Sequence, residues 1–306
     1  MISNLSPANE AFIASVERLQ RGVEDATLRT SSGKRVNVAS DAPTEIDSIL
    51  QLRTDDVRNS QIQENLGVAQ ADATAADNAL SSATQLMDRA TTLAAQGANF
   101  TLDAAGRQSI ADEVQSLQEQ MVAISNTTVQ GRYIFGGDLD STAPYAVDLT
   151  AANGASQLTS SAATRQVENA AGGSFAVSKN AQDIFDSRNA DGTSASDNVF
   201  VALNNLRTGL LANDTAQITA ASASVQLAST HLDTAQAFYG TVENRITDAT
   251  NFSSNYTVQL STELSQKQDA DVTSDAMIIT QGNTQIQAAF MMQAKIPHTT
   301  LFDFMG

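Results

Sequence analysis

The sequence predicts a mainly α protein: a long antiparallel coiled-coil helical bundle built from the N- and C-terminal segments, with a small β-containing central insertion. Three observations predict it. Apolar residues recur at alternating spacings of four and three through most of the chain, which keeps one stripe of each helix against a partner. The apolar share is 42%, mostly Ala with some Leu, Val and Ile, and only 5% of residues are aromatic. Small side chains at regular spacing suit thin bundles better than a thick core. Between the helical stretches, residues 138–195 lose the spacing and become rich in Ser, Thr, Ala, Asn and Gly.

The elements follow in chain order. Phe12, Val16, Leu19, Val23 and Ala26 mark the first helix, which breaks at Thr30-Ser31-Ser32-Gly33 and again at Ser40-Asp41-Ala42-Pro43. Ile62, Leu66, Ala69, Ala73, Ala76, Leu80, Ala83, Met87, Ala90 and Ala94 keep the 4-3 alternation for more than four heptads. Gly97 is expected to end that helix by taking a left-handed conformation. Asp103 reads as the N-cap of the next helix, on which Ile110, Val114, Leu117, Met121, Ile124 and Thr128 repeat the pattern. Tyr133, Ile134 and Phe135 are strand formers set between glycines. The insertion that follows holds short apolar pieces at Tyr145–Val147 and Phe175–Val177. These read as strands, with loose surface loops as the alternative.

Helical spacing returns near Asn198 with Phe200, Leu203, Leu206 and Leu210. Val225, Leu232, Tyr239, Ile246, Ser253 and Leu260 then recur every seven residues. Asp269 and Asp271 mark a break. Val272, Ala276, Ile279, Asn283, Ile286 and Phe290 form the last seam, which Pro297 stops. The expected domains are a terminal coiled coil (1–40 with 270–306), a helical rod (41–137 with 195–269) and an outer insertion (138–194).

Composition excludes several functions. The 306 residues carry 17 Lys and Arg against 34 Asp and Glu, for a net charge of −17. That balance argues against a nucleic-acid or anionic-membrane partner. No Cys is present, so there is no disulfide or thiol nucleophile. Two histidines, His231 and His298, cannot build a multi-His metal site in one chain. His231 reads as a coiled-coil flank, and His298 as a tail contact or bystander. Asp138 and Asp140 lack the further ligands of a calcium loop and read as a solvated turn. No hydrolase elbow, zincin helix, phosphate loop or dinucleotide fingerprint occurs. The expectation is no enzyme, no cofactor and no metal. Met1–Glu10 lacks the basic and apolar regions of a secretory signal.

Several segments combine into a resemblance. Thr30-Ser31-Ser32-Gly33-Lys34-Arg35-Val36-Asn37, followed by Ser40-Asp41-Ala42-Pro43, resembles the S-S-G-K-R-hydrophobic-N … D-D stretch of the bacterial flagellin family. Leu86–Asn99 resembles its R-x-L-A-x-Q-A-x-N helix end. Asn126–Gly137 is similar to the N-T-x-x-x-G-x-Y-x-F-x-G element of the family's hook–filament junction branch, with Gly131, Tyr133, Phe135 and Gly137 as the matching positions. Asn198–Leu211 and the closing Leu301-Phe302-Asp303-Phe304 also resemble that branch. The resemblance covers about 1–137 and 195–306. Ala42 departs from it, standing where the branch carries a second Asp.

The resemblance implies a structural part of the bacterial flagellum: an adapter between hook and filament. A filament-forming flagellin is the close alternative, and an extracellular adhesin-like protein the more remote one. It implies export of the unfolded chain through the flagellar channel, helped by a chaperone. The implied partners are copies of the chain, hook-associated proteins and flagellin. The terminal helices would fold on assembly through Phe12, Val16, Leu19, Val23, Ile279, Asn283, Ile286 and Phe290. There Asn283 either selects a register or is a tolerated polar residue. Gly33, Lys34, Arg35, Asp41 and Pro43 would form the joint between terminal coil and rod, and the insertion would project outward. Arg89, Leu93 and Glu113 match rod positions that the vertebrate innate flagellin receptor reads in some flagellins, with packing and solvation as the plainer reading.

Overall fold

A computed structural model describes residues 7–295. In chain order it holds α1 (Pro7–Ser32), α2 (Ile46–Gly97), α3 (Ala104–Ser125), β1 (Thr128–Val129), β2 (Arg132–Tyr133), β3 (Tyr145–Val147), β4 (Ala155–Gln157), β5 (Gln166–Glu168), β6 (Ser174–Ala176), α4 (Ala181–Phe185), α5 (Val199–Leu211), α6 (Thr215–Gln268) and α7 (Val272–Lys295). The strands form three separate antiparallel pairs, β1–β2, β3–β4 and β5–β6. Each expected helix is present, and the insertion carries strands.

Three local expectations change. Asp103 does cap α3, its carboxylate accepting from the Gly106 amide at 2.8 Å. That helix stops at Ser125, however, and Thr128 belongs to β1, so the 4-3 pattern overruns the helix. Of Tyr133–Phe135 only Tyr133 is in a strand; Ile134 and Phe135 turn inward and are buried. Gly97 ends α2 without a left-handed φ. It is required for space instead, since a Cβ there would strike the Leu210 side chain.

The chain divides into two units, 59–256 and 1–58 with 257–306. In the first, α2 and α6 run antiparallel. Asn59 meets Ser253, Thr74 meets Glu243, and Gly97 backs onto Ile218. The heptad positions of both helices, from Ile62 to Ala94 and from Val225 to Ala249, are buried. α3 packs against α5, whose Phe200, Leu203, Leu206 and Leu210 are likewise buried. Asn59 and Ser253 are the polar step in this seam. The Ser253 hydroxyl donates to Asn59 Oδ1 at 2.6 Å, and Asn59 Nδ2 donates to the Ser253 carbonyl at 2.9 Å. Two buried polar groups are thereby satisfied, and a one-heptad slip would orphan both.

The insertion does not hang outward from this core. Tyr145, Phe175, Val177, Ile184 and Phe185 are buried in it. Phe200 stacks on Phe185 at 5.9 Å and lies edge-on to Tyr145 at 5.0 Å. Each such ring contributes about 1.5–3 kcal/mol by leaving water. The polar composition of 138–194 hid the few large residues that dock it.

The second unit is thinner. α1 and α7 run antiparallel, with Phe12 facing Phe290 and Val23 facing Gly282. Val36, Ala42 and Ile49 form a small cluster with Leu264 against it. The expected domain boundary at 40/41 therefore runs through packed residues. The reason is that the loop after α1 buries its own apolar side chains rather than serving as a bare linker.

Candidate assembly interface

The α1–α7 pair is held by a narrow edge. On α1, Val16 and Ala26 are buried while Phe12, Leu19 and Val23 are half-buried. On α7 the inward edge is Asp275, Ile279, Gly282 and Ile286, spaced 4-3-4. Asp275 is buried, and Arg29 Nε and Nη2 donate to its Oδ1 at 3.0 and 2.7 Å. That bond holds the Arg29 guanidinium above its ordinary value. Gly282 lets α1 approach, since a Cβ would meet Val23 Cγ2. The predicted seam through Asn283 and Phe290 is thus displaced by one position. Asn283 is exposed, and Phe290 touches Phe12 edge-on at 6.3 Å while staying 54% exposed. Asn283 consequently selects no register within this pair. The signals for the true edge were Gly282, a glycine inside a helical pattern, and an acid set opposite Arg29.

This unit leaves large apolar side chains in water. Ile13, Leu28, Met277, Ile278, Phe290, Met291 and Met292 are all exposed on α1 and α7. Exposed apolar side chains in this number make the pair a candidate interaction surface. Pro297, His298 and Leu301-Phe302-Asp303-Phe304 lie outside the described residues.

The stretch after α1 is a bonded elbow. Gly33 adopts φ +68°, which glycine accepts without a Cβ penalty. Its carbonyl accepts from the Ala270 amide at 3.0 Å. The Lys34 backbone pairs antiparallel with that of Asp269. The Arg35 amide donates to the Gln268 carbonyl at 2.7 Å, and its guanidinium to the Lys267 carbonyl at 2.6 Å and to Glu45 at 2.7 Å. Asp41 accepts from the amides of Val38 and Asn37 at 2.9 and 2.8 Å, which hold it below the usual carboxylate range. Pro43 is exposed in the turn before α2.

Gly131 and its neighbours form a two-residue hairpin turn. Gln130 and Gly131 take φ +51° and +78°, and Thr128 pairs with Tyr133. Two consecutive positive φ values are the primed turn that matches strand twist. Phe135 is buried, edge-on to Phe185 at 5.6 Å and Tyr239 at 6.3 Å. Gly137, at φ +64°, has no room for a Cβ beside Ala163 and Ser161.

Two charged clusters lie beneath. Asp72 and Asp140 alternate with Arg165 and Arg132, with Arg165 reaching them at 2.8 and 2.6 Å. Asp140 is therefore an ion-pair partner, which corrects the solvated-turn reading. Asp186, fully buried, accepts from Tyr145, Arg188, Asn153 and Asn198. Burial, with the Asp186 charge beside it, raises the Tyr145 phenol well above its ordinary value. His231 contacts Asp197 at 3.1 Å and the Asp183 carbonyl at 2.8 Å, tying α6 to the insertion. Among the described residues no group of acids and histidines could hold a metal ion.

The N-terminal helical region of bacterial flagellin matches residues 2–140, and its C-terminal helical region matches 222–305. The chain belongs to the bacterial flagellin family. Flagellar hook-associated protein 3 of Escherichia coli K12 is 33% identical over 116 residues, 38% of this chain and 37% of that protein. Flagellin A of Vibrio cholerae is 34% identical over 114 residues, 36% of this chain and 29% of that protein. The matched stretch thus spans about a third of each relative. Two solved structures share the fold. FlgL of Xanthomonas campestris has a TM-score of 0.59 at 20% identity, covering 69% of this chain and 98% of that one. Flagellar hook-associated protein-3 of Legionella pneumophila has a TM-score of 0.59 at 14% identity, covering 72% and 98%.

In this flagellin-family chain the three receptor-like positions are not equivalent. Arg89 and Glu113 form an exposed ion pair at 2.6 Å, whereas Leu93 is completely buried. On the folded unit only Arg89 and Glu113 are accessible. Sequence reading also missed Arg107. It is buried and donates to the carbonyls of Gly97 and Asn99 at 2.9 and 2.8 Å and to the Asn213 side chain. One guanidinium so closes both the α2–α3 and α5–α6 turns. Its partners lie 8 to 106 positions away, so no local sequence signal pointed to it.

Proposed function

We propose that this chain is the structural adapter joining hook to filament, exported unfolded to the outside of the cell and completed on assembly. The observation that carries the reading is the α1–α7 unit. It pairs two helices over a narrow edge and leaves Ile13, Leu28, Met277, Ile278 and Phe290 exposed. Isolated helices with so little cover are marginal in water. Neighbouring axial subunits (copies of this chain, hook-associated proteins and flagellin) supply the missing burial. A partner chaperone would shield these segments before export. The likeness to hook-associated protein 3 favours the adapter. The likeness to flagellin A favours the second reading, a filament subunit.

A deletion strain separates the two. An adapter's loss leaves hooks intact and flagellin secreted as monomer, and the purified chain forms no filaments alone. Long filaments from the purified chain would establish the second reading. The joint role of Gly33, Lys34, Arg35, Asp41 and Pro43 belongs to the same proposal, as does innate-receptor contact through Arg89 and Glu113.

A further inference from the structure

The chain has seven methionines. Met87 and Met121 are fully buried in the 59–256 unit. Met277, Met291 and Met292 are 63%, 66% and 69% exposed, all on α7. Met1 and Met305 lie outside the described residues. At 100° per residue, Met277, Met291 and Met292 fall within an arc of about 100° on α7. That arc lies opposite the Asp275–Ile279–Gly282–Ile286 edge that meets α1. The three thioethers therefore line the free face of the helix. Thioethers adapt to irregular partner surfaces, which suits a face that packs against other subunits.

From this placement we infer that Met277, Met291 and Met292 are oxygen-acceptor sites through which a peroxide blocks assembly. The inference rests on the adapter reading, in which the free face of α7 becomes buried. In the step, a sulfur lone pair attacks one peroxide oxygen and the O–O bond breaks. An S–O bond forms and the second oxygen leaves as water. Sulfur is oxidised by two electrons and hydrogen peroxide is reduced by two. The product sulfoxide is polar and chiral where the interface needs an apolar, pliable group. Burial in the assembled state removes the same sulfurs from the oxidant, so sensitivity belongs to the free subunit.

The test uses the full-length chain and isolated hooks from the deletion strain. Peroxide-treated and untreated chains are mapped by peptide mass spectrometry and co-sedimented with the hooks. Oxygen is expected on Met277, Met291 and Met292 well before Met87 and Met121, with a loss of hook binding of at least about tenfold. The triple variant M277L/M291L/M292L keeps apolar bulk but cannot take oxygen, and it is expected to bind after treatment as before. Three results overturn the inference: full sulfoxide at the three sites with unchanged binding, Met87 and Met121 reacting as fast, or equal loss in the triple variant. Untreated chain that never binds hooks overturns the adapter reading and the peroxide block with it, which separates the two failures.

Discussion

The two units bury their apolar residues by different means. In 59–256 the 4-3 pattern is converted into a closed core. Both faces of α2 and α6 that carry it are covered, and Tyr145, Phe175 and Phe185 fill the gap that Ala-rich seams leave. In 1–58 with 257–306 the α1–α7 pattern covers only one edge, and beyond the small Val36–Ala42–Ile49 cluster Ile13, Leu28, Met277, Ile278, Phe290, Met291 and Met292 face water. Heptad spacing thus specifies which side of a helix pairs but not whether the pair is complete. Completeness depends on further elements, and only the larger unit contains them.

The largest test of the contrast is in the closed core. Phe200→Ala removes two ring contacts and should lower the stability of 59–256 by about 3–5 kcal/mol. Thermal denaturation followed by near-ultraviolet circular dichroism would check it. Asp186→Ala removes the acceptor of Tyr145 and Asn153, while Asn198 keeps the Ser187 carbonyl and Arg188 keeps Gln157. A loss of about 2–3 kcal/mol is expected in the same assay, moderated because Arg188 is partly in water. A smaller effect is expected in the open unit. Gly282→Val forces α7 from Val23 and should cost about 1–2 kcal/mol. Its signature is lost helicity and hook binding with the melting of 59–256 unchanged. Arg29→Ala should cost about 1 kcal/mol at low salt and less at high salt, because Arg29 is partly exposed.

Alkali should affect only the closed unit, and nothing is expected near neutral pH. Burial raises the phenols of Tyr145 and Tyr239 above their ordinary value. Their contribution to stability is therefore complete below pH 10 and is lost as pH rises above it. Phenolate absorbance should show both tyrosines ionising only as 59–256 unfolds. Ionisation with the unit still folded would contradict their burial.

Much of this was legible in the sequence. The seams of α2, α5 and α6, and that of α3 up to Met121, lie where the spacing puts them, because each of these helices packs one inward face. On α7 the observed edge shares Ile279 and Ile286 with the expected seam and departs from it by one position at Asp275 and Gly282. There Val272, Ala276 and Met277 compete with Ile279 and Ile286, and on a half-covered helix no stripe is strongly selected. The insertion's docking was invisible because Tyr145, Phe175 and Phe185 are scattered single residues with no period. The clusters around Asp72 and Asp186 join residues dozens of positions apart, which spacing along one chain does not register.

Amide hydrogen exchange on the free full-length chain distinguishes a closed unit from an open one. If the larger unit is closed and the smaller one awaits its neighbours, amides of 62–94, 111–122 and 199–249 should exchange orders of magnitude more slowly than those of α1 and α7. Equal protection across α1, α7 and the 59–256 core would contradict it, because the terminal pair would then be complete without assembly.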